Sequence, residues 1–223
     1  VGEVALGSNP GNSGSAGGRF ILEDDLVTNA NATSARIYNL NSTVTVNEMV
    51  MDDASGTNTF EVADGGADVD LSIETDITGD NALRKTGAGV LDLRMPGTRS
   101  ETDVTGGVDG QSATVSGATH YSGGTTVSAG TLLVNNTDAT YSGTGFGPVT
   151  VDAGATLGGN GFIDPDAGNH VNVSGTIAPG NSIGTLTVGT SGSENNVLFL
   201  DGGTLAIEVL GADSDELAVF GDV

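Results

Sequence analysis

One segment of the sequence has the spacing of a serine nucleophile. Gly180-Asn-Ser-Ile-Gly184 matches the G-x-S-x-G pattern, in which a strand-to-helix turn exposes the serine while an acid and a histidine follow later in the chain. No helical pattern follows Gly184, and both histidines, His120 and His170, precede it. The preceding Pro-Gly pair is typical of a turn. We therefore interpret this segment as a β-corner rather than as an active site.

The two histidines are weak candidates for metal binding or proton transfer. His120 comes directly before Tyr121 and His170 directly before Val171, at the starts of two strand-like segments. Neither histidine has a partner at H-x-H or H-E-x-x-H spacing. We interpret both as surface or corner residues.

Clusters of acidic residues are the most serious candidates for a functional site, because loop carboxylates supply the hard oxygen ligands that Ca²⁺ prefers. The clusters are Asp64–Asp70, Asp164–Asp166 and Asp213–Glu216. None completes an EF-hand. The segment Gly158–Asp164 departs from the calcium-binding nonapeptide, because its acid falls one position late and no tandem copy follows. We predict solvated loops without a metal or a cofactor, and keep calcium binding as an alternative.

Polysaccharide cleavage is the remaining enzymatic alternative. A glycoside hydrolase needs two carboxylates at a defined separation, but the adjacent pairs Asp24-Asp25 and Asp52-Asp53 would point to opposite faces of a strand. A lyase for acidic sugars needs a basic cleft, whereas the chain has only six basic residues, and Arg84 and Lys85 lie inside a repeat-like motif. We predict no catalytic residues and no enzymatic activity.

The composition of the chain excludes several classes of protein and of partner. The 223 residues weigh 22.0 kDa and include 37 glycines, no cysteine and 4% aromatic residues. Six basic against 29 acidic residues give a formal charge of −23, which repels nucleic acid and anionic lipid headgroups. We therefore expect no nucleic-acid partner and no membrane insertion. The absence of cysteine excludes disulfide scaffolds and thiolate metal sites.

Short runs of Val, Leu, Ile and Thr recur through the chain, each bounded by Gly, Asn, Asp or Ser. Apolar and polar residues alternate inside them, which is typical of strands with one buried face, and no long stretch has a helical apolar stripe. These patterns predict an all-β fold. The predicted strands include Ser42–Val46, Val69–Ile73, Val90–Leu93, Thr131–Val134, Val149–Val151, Val171–Val173, Leu186–Val188, Leu205–Val209 and Glu216–Phe220.

The strands recur in a weak repeat. Val127, Val151 and Val173 occupy equivalent positions 24 and 22 residues apart, a period that is typical of solenoids. We expect the valines to point inward, the alternating polar residues to face water, and the glycine before each Thr-Leu pair to turn a corner with positive φ. Stacked units then bury a continuous core. The pattern predicts a β-solenoid of roughly ten coils of about 22 residues.

Three segments resemble a known repeat. Leu83–Leu93 reads LRKTGAGVLDL, Tyr121–Val134 reads YSGGTTVSAGTLLV, and Gly175–Val188 reads GTIAPGNSIGTLTV. Together they resemble the autotransporter-associated β-strand repeat, also called the passenger-associated transport repeat, over about residues 83–189. In the family, the segments that correspond to Leu83–Leu93 and Tyr121–Val134 are the two halves of one repeat and are joined by a few residues. In this chain residues 95–117 intervene between them. We interpret that stretch as a surface loop insertion.

The resemblance implies a right-handed parallel β-helix, and it implies a secreted or surface-displayed bacterial protein in which the repeat is a stalk. No catalytic residue belongs to the repeat motif. We predict a Gly/Ser-rich N-terminal segment or first coil at 1–18 and a solenoid at 19–223. Because a predicted strand ends only three residues before Val223, we expect the natural protein to continue.

We therefore expect a non-enzymatic structural and display segment, extracellular or associated with the outer membrane at the cell surface. The first alternative is an adhesin that binds glycans or cell surfaces, with or without Ca²⁺. The second is a β-helical enzyme that acts on polysaccharide. Solenoids also end in unpaired strand edges, so end-to-end stacking of copies is a further expected interaction.

Overall fold

The computed structural model describes residues 3–6, 19–39, 48–95, 121–190 and 195–223. Within these ranges the chain forms strands and turns and no helix, so no helix there has the length and apolarity needed to cross a membrane. The strands are β1 (Glu3–Leu6), β2 (Arg19–Leu22), β3 (Leu26–Val27), β4 (Ala35–Asn39), β5 (Glu48–Met51), β6 (Thr57–Glu61), β7 (Leu71–Glu74), β8 (Asp76–Thr78), β9 (Ala82–Thr86), β10 (Val90–Leu93), β11 (Thr125–Val127), β12 (Thr131–Val134), β13 (Val149–Val151), β14 (Thr156–Gly159), β15 (Phe162–Ile163), β16 (Val171–Val173), β17 (Thr176–Pro179), β18 (Thr185–Val188), β19 (Val197–Phe199), β20 (Thr204–Leu205), β21 (Val209–Leu210), β22 (Asp213–Ser214) and β23 (Glu216–Val219).

Nearly all of these strands lie in four parallel sheets. An eight-stranded sheet has the order β1-β4-β7-β10-β12-β14-β17-β20, and a seven-stranded sheet has the order β3-β6-β9-β11-β13-β16-β19. Two three-stranded sheets have the orders β2-β5-β8 and β15-β18-β23. The remaining pair, β21 and β22, is an antiparallel hairpin.

The chain visits these sheets in a fixed cyclic order. Strands β4, β5 and β6 lie in the eight-stranded, a three-stranded and the seven-stranded sheet, and β7, β8 and β9 repeat the sequence of sheets. Near the C-terminus, β17 and β19 again lie in the eight-stranded and the seven-stranded sheet, and β18 between them lies in the other three-stranded sheet. Each turn of chain therefore lies on the previous one, as where Val149 pairs with Val171, 22 residues later. This is the topology of a β-solenoid, and the predicted all-β solenoid architecture is confirmed.

The core is a column of aliphatic side chains that alternate with outward polar ones. Val149 and Val151 are fully buried and so are Val171 and Val173, whereas Thr150 between the first two is partly exposed. The predicted inward valines are therefore confirmed. Fully burying a side chain of this size contributes about 1.5–3 kcal/mol, and the stacked columns account for a stable fold with few aromatic residues.

Four predicted strands coincide with β10, β12, β13 and β16, but the prediction of one strand over Leu205–Val209 is wrong. Strand β20 ends at Leu205, and the chain then turns into the β21–β22 hairpin. The backbone N–H of Glu208 donates to Asp215 Oδ2 at 2.8 Å, so a side chain takes the place of a sheet partner. The predicted strand Ser42–Val46 lies outside the described residues.

Glycine is needed before the Thr-Leu and Thr-Ile pairs for two different reasons. Gly130 has a φ of +66°, so the predicted left-handed corner is confirmed there. At Gly184 and Gly203, which also precede Thr-Leu pairs, the prediction is wrong, because neither has a positive φ. Gly175, which precedes Thr-Ile, has no positive φ either. A Cβ on Gly175 would lie 2.4 Å from the carbonyl oxygens of Asp152 and Ala155. The backbone of the preceding coil is simply too close for a side chain.

The predicted segment boundaries fall partly within the described residues. Strand β1 pairs in parallel with β4, so part of the segment 1–18 joins the eight-stranded sheet. Of the predicted insertion at 95–117, Met95 is fully buried in the core, and residues 96–117 lie outside the described ranges.

Candidate functional site

The G-x-S-x-G segment lies in the turn between β17 and β18. Ser182 is exposed and has a φ of +96°, a conformation that residues other than glycine rarely adopt. Two strands flank the turn, and Asp215 accepts the backbone N–H of Gly184 at 3.0 Å. The geometry is that of a β-corner, whereas a serine nucleophile of this pattern needs a strand followed by a helix.

Replacing Ser182 with glycine is expected to raise the free energy of unfolding by about 1 kcal/mol, because glycine relieves the positive φ at a smaller cost in chain entropy. Urea denaturation measures the change. Ser174→Gly is the control, since Ser174 has no positive φ and its replacement should lower stability slightly. A loss of stability in both variants would contradict the expectation.

The three predicted acidic clusters do not assemble a three-carboxylate site within the described ranges. The one such group there consists of Asp24, Asp25 and Asp53, whose ligand oxygens lie within 4.8 Å of one another. It forms where the β2–β3 corner lies beside the β5–β6 corner. The prediction that Asp24 and Asp25 point to opposite faces of a strand is wrong, because both lie in a corner between strands. The sequence also gives no sign of the third member, because Asp53 comes from a different coil.

The carboxylates of this acidic group accept backbone N–H groups, both within a turn and from the next coil. Asp25 Oδ1 accepts the backbone N–H of Thr59 at 2.8 Å, and Asp53 Oδ1 accepts that of Ser55 at 2.6 Å. The hydrogen bonds from Ser55 hold the pKa of Asp53 below its ordinary value. These backbone hydrogen bonds account for the positions of Asp25 and Asp53.

The predicted cluster Asp64–Asp70 closes a loop. Asp70 is buried, and its two oxygens accept the backbone N–H groups of Gly65 at 2.8 Å and of Val90 at 2.9 Å. In the cluster Asp164–Asp166, burial raises the pKa of Asp164, and the charge of Asp166 acts in the same direction, whereas a hydrogen bond from Thr190 opposes it. In the third cluster, Asp215 is buried, whereas Asp213 and Glu216 are exposed.

The described histidine lies between two coils. His170 Nδ1 accepts the backbone N–H of Asn196 at 3.4 Å, which uses one ring nitrogen for a structural contact. His120 lies outside the described residues.

Lys85 is the most unusual buried side chain, and its role was not foreseen. It is fully buried, and its Nζ donates to the carbonyl oxygens of Thr86 and Gly87, both at 2.8 Å, and of Ala129 at 3.0 Å. Ala129 belongs to the next coil, so the ammonium joins two corners. Burial lowers the pKa of Lys85 from 10.5 to about 8, although the nearby charge of Asp70 acts in the opposite direction.

Buried asparagines make similar bonds between coils. Asn136 Nδ2 donates to the carbonyl oxygen of Tyr141 at 2.8 Å, and its Oδ1 accepts the N–H of Phe162 at 2.9 Å. Asn195 Nδ2 donates to the carbonyl oxygen of Pro165 at 2.8 Å. Because an unpaired buried polar group costs about 1–3 kcal/mol, these bonds fix the register of the corners.

Tyr121, in the second repeat-like segment, is also fully buried. Its hydroxyl lies 2.6 Å from Thr125 Oγ1, which donates to the carbonyl oxygen of Thr144 at 2.8 Å. Burial raises the pKa of Tyr121 well above its ordinary value. The hydroxyl therefore stays protonated and keeps its hydrogen bond.

A groove on the outer face of the eight-stranded sheet combines charged and hydroxyl side chains. It has a volume of about 660 Å³, and we call it the arginine groove. Its lining residues are Ser34, Arg36, Val69, Ser72, Glu74 and Arg94.

Comparisons of this chain with protein-family models, with curated proteins and with solved structures found no match. The resemblance to the autotransporter-associated repeat therefore stays an expectation from the sequence motifs.

Proposed function

We propose that this chain is a non-enzymatic structural and display segment, a stalk, of an extracellular or cell-surface bacterial protein of the autotransporter type. One observation carries the proposal: buried polar side chains bind the protein's own backbone at the corners. Lys85 and Tyr121, the two largest polar side chains in the core, both belong to the repeat-like motif. Lys85 donates to backbone carbonyl oxygens of two corners, and the hydroxyl of Tyr121 pairs with Thr125 Oγ1, which donates to the carbonyl oxygen of Thr144.

We also propose that the solenoid is right-handed, since parallel strands joined by a crossover almost always connect with that hand. The coil count of roughly ten, at about 22 residues each, stays a prediction. The offset between paired residues is 20 for Leu71 and Leu91 but 36 for Ala35 and Leu71, so individual coils differ in length. A crystal structure tests both points.

The proposed function is tested by surface display. The chain, with an N-terminal epitope tag, is fused to an outer-membrane anchor and produced in a bacterium. We expect antibody to reach the tag on intact cells, and we expect the purified chain to release neither reducing sugar nor unsaturated products from neutral or acidic polysaccharides. A tag that stays inaccessible at equal total expression, or release of either product, would overturn the proposal.

A further inference from the structure

Two of the six basic residues of this acidic chain lie together in the arginine groove. Arg36 is in β4, and its register partner is Ser72 in β7. Arg94 directly follows β10, and its backbone N–H donates to the carbonyl oxygen of Ile73 at 2.8 Å. Three neighbouring strands thus place both guanidinium groups on one face of the sheet.

The guanidinium of Arg36 is held in a fixed orientation. Its Nε and Nη2 donate to the two carboxylate oxygens of Glu74 at 3.1 and 2.5 Å, a bidentate geometry that sets both position and plane. The same group lies 4.7 Å from the centre of the Tyr38 ring, which adds a cation–π contact. Ser72 Oγ donates to Glu74 Oε1 at 3.1 Å.

Arg94 is oriented by a buried acid. Its Nε donates to Asp92 Oδ2 at 2.5 Å, and the other oxygen of Asp92 accepts Asn135 Nδ2 at 2.8 Å. The side chain of Asp92 is completely buried, whereas that of Arg94 is 50% exposed and that of Arg36 is 41% exposed. Each guanidinium group is therefore held by a carboxylate, Arg36 by Glu74 beside it and Arg94 by the buried Asp92, and both remain accessible from the groove.

The chemistry of the groove is that of paired donors and acceptors with no net charge. Each arginine is matched by one carboxylate, and the chain as a whole carries −23, so an anionic ligand gains little and is repelled at long range. A sugar hydroxyl both donates and accepts hydrogen bonds. Neighbouring hydroxyls on one sugar ring can therefore bind a guanidinium and the carboxylate beside it.

We propose that the arginine groove binds a neutral glycan, with sugar hydroxyls accepting from Arg36 and Arg94 and donating to Glu74. The preset side chains lose little conformational entropy on binding. Ser34 and Ser72 also line the groove. Their hydroxyls donate to the carbonyl oxygen of Val69 and to Glu74 Oε1, so each can only accept from a sugar hydroxyl. This binding role goes beyond that of a stalk, and the stalk proposal does not depend on it.

Affinity gel electrophoresis tests this proposal, with the purified chain run through gels that contain dextran, galactomannan or mixed-linkage β-glucan, or polygalacturonate as the acidic probe. We expect at least one neutral polysaccharide to retard the chain more than polygalacturonate does. Arg94→Gln is expected to weaken that binding about tenfold or more, because a hydrogen bond to a charged group is lost. Arg84→Gln is the control, since Arg84 is an exposed arginine on the seven-stranded sheet.

Two further variants distinguish a loss of glycan binding from a loss of folding. Arg94→Lys keeps the charge but loses the planar fork, and Glu74→Gln keeps the size but loses the carboxylate; both should weaken binding while the thermal unfolding midpoint stays near that of the wild type. Retardation by none of the neutral polysaccharides overturns the proposal. Stronger binding of polygalacturonate, or equal losses in Arg84→Gln and Arg94→Gln, also overturns it.

Discussion

Lys85→Met is expected to lower the free energy of unfolding by about 3 kcal/mol. Methionine fills a similar volume, but it leaves the carbonyl oxygens of Thr86, Gly87 and Ala129 without the ammonium that now binds them. A buried acceptor that loses its donor costs about 1 kcal/mol or more. Removing the burial cost of the charge offsets part of the loss. Urea denaturation, followed by circular dichroism, measures the difference.

Arg84→Met is the matched control for this substitution. Arg84 precedes Lys85 on β9, but it is exposed and donates to Ser128 Oγ at 3.1 Å. Its replacement should change stability by less than about 0.5 kcal/mol, as is usual for surface positions. Equal effects of the two substitutions would show that the carbonyl bonds of Lys85 contribute nothing.

The effect of Lys85→Met should also grow with pH. The pKa of Lys85 is about 8 in the folded chain and 10.5 in its ordinary state, so between these values the unfolded chain binds more protons. Stability of the wild type relative to the variant therefore rises with pH above 8. Between pH 7 and pH 9.5 the difference should increase by about 2 kcal/mol. If the difference in unfolding free energy between the wild type and the variant did not change with pH, the three carbonyl oxygens would be keeping the ammonium protonated.

The C-terminal end of the solenoid is expected to drive association of the chain. Strands β19, β20 and β23 are the last strands of their sheets, and eight of the ten exposed large apolar side chains in the described ranges lie between residues 198 and 223. Open edges with apolar side chains pair readily with other chains. The charge of −23 opposes this, so added salt should promote it.

Sedimentation velocity at low and high ionic strength tests this expectation. The average mass should rise above 22.0 kDa with protein concentration, and more steeply at high salt. Leu205→Lys and Val209→Lys place charges on the exposed end, where the side chains are 43% and 72% exposed, and should restore the monomer. Thr150→Lys, on an outward position in the middle of the seven-stranded sheet, should not.

The opposite end gives a further comparison. Val27→Lys alters the outer strand of the seven-stranded sheet, β3, where Val27 is 61% exposed. If copies associate head to tail, Val27→Lys should suppress association as strongly as Leu205→Lys does. A monomer at all concentrations and salt conditions would contradict the expectation of end-to-end stacking.

The alternation of residue types predicts most of the fold, because each strand has one buried face. Val149-Thr-Val151 shows this directly, since its burial follows the pattern. The same alternation places Lys85 inward, two residues after the buried Leu83. Its charge nevertheless favours the surface, and the three carbonyl oxygens that bind it come from corners whose positions no local pattern reveals.

The contacts between coils could not be predicted, because they depend on the length of each corner. Asp25 and Asp53 meet only because the second corner lies beside the first. Leu205–Val209 alternates like a strand, but Asp215 binds the N–H of Glu208 and ends the ladder. In both cases the deciding partner lies in another part of the chain, and the spacing within one segment carries no record of it.

The cyclic order in which the chain visits its sheets has a mechanical consequence. Because each turn contacts mainly the turns before and after it, the first turns can fold before the rest of the chain is available, and no distant segments need to meet at the start. Force applied at Val223 loads only the last turn. We therefore expect the molecule to unravel from that end in a series of small steps, each releasing about one turn, rather than in a single rupture.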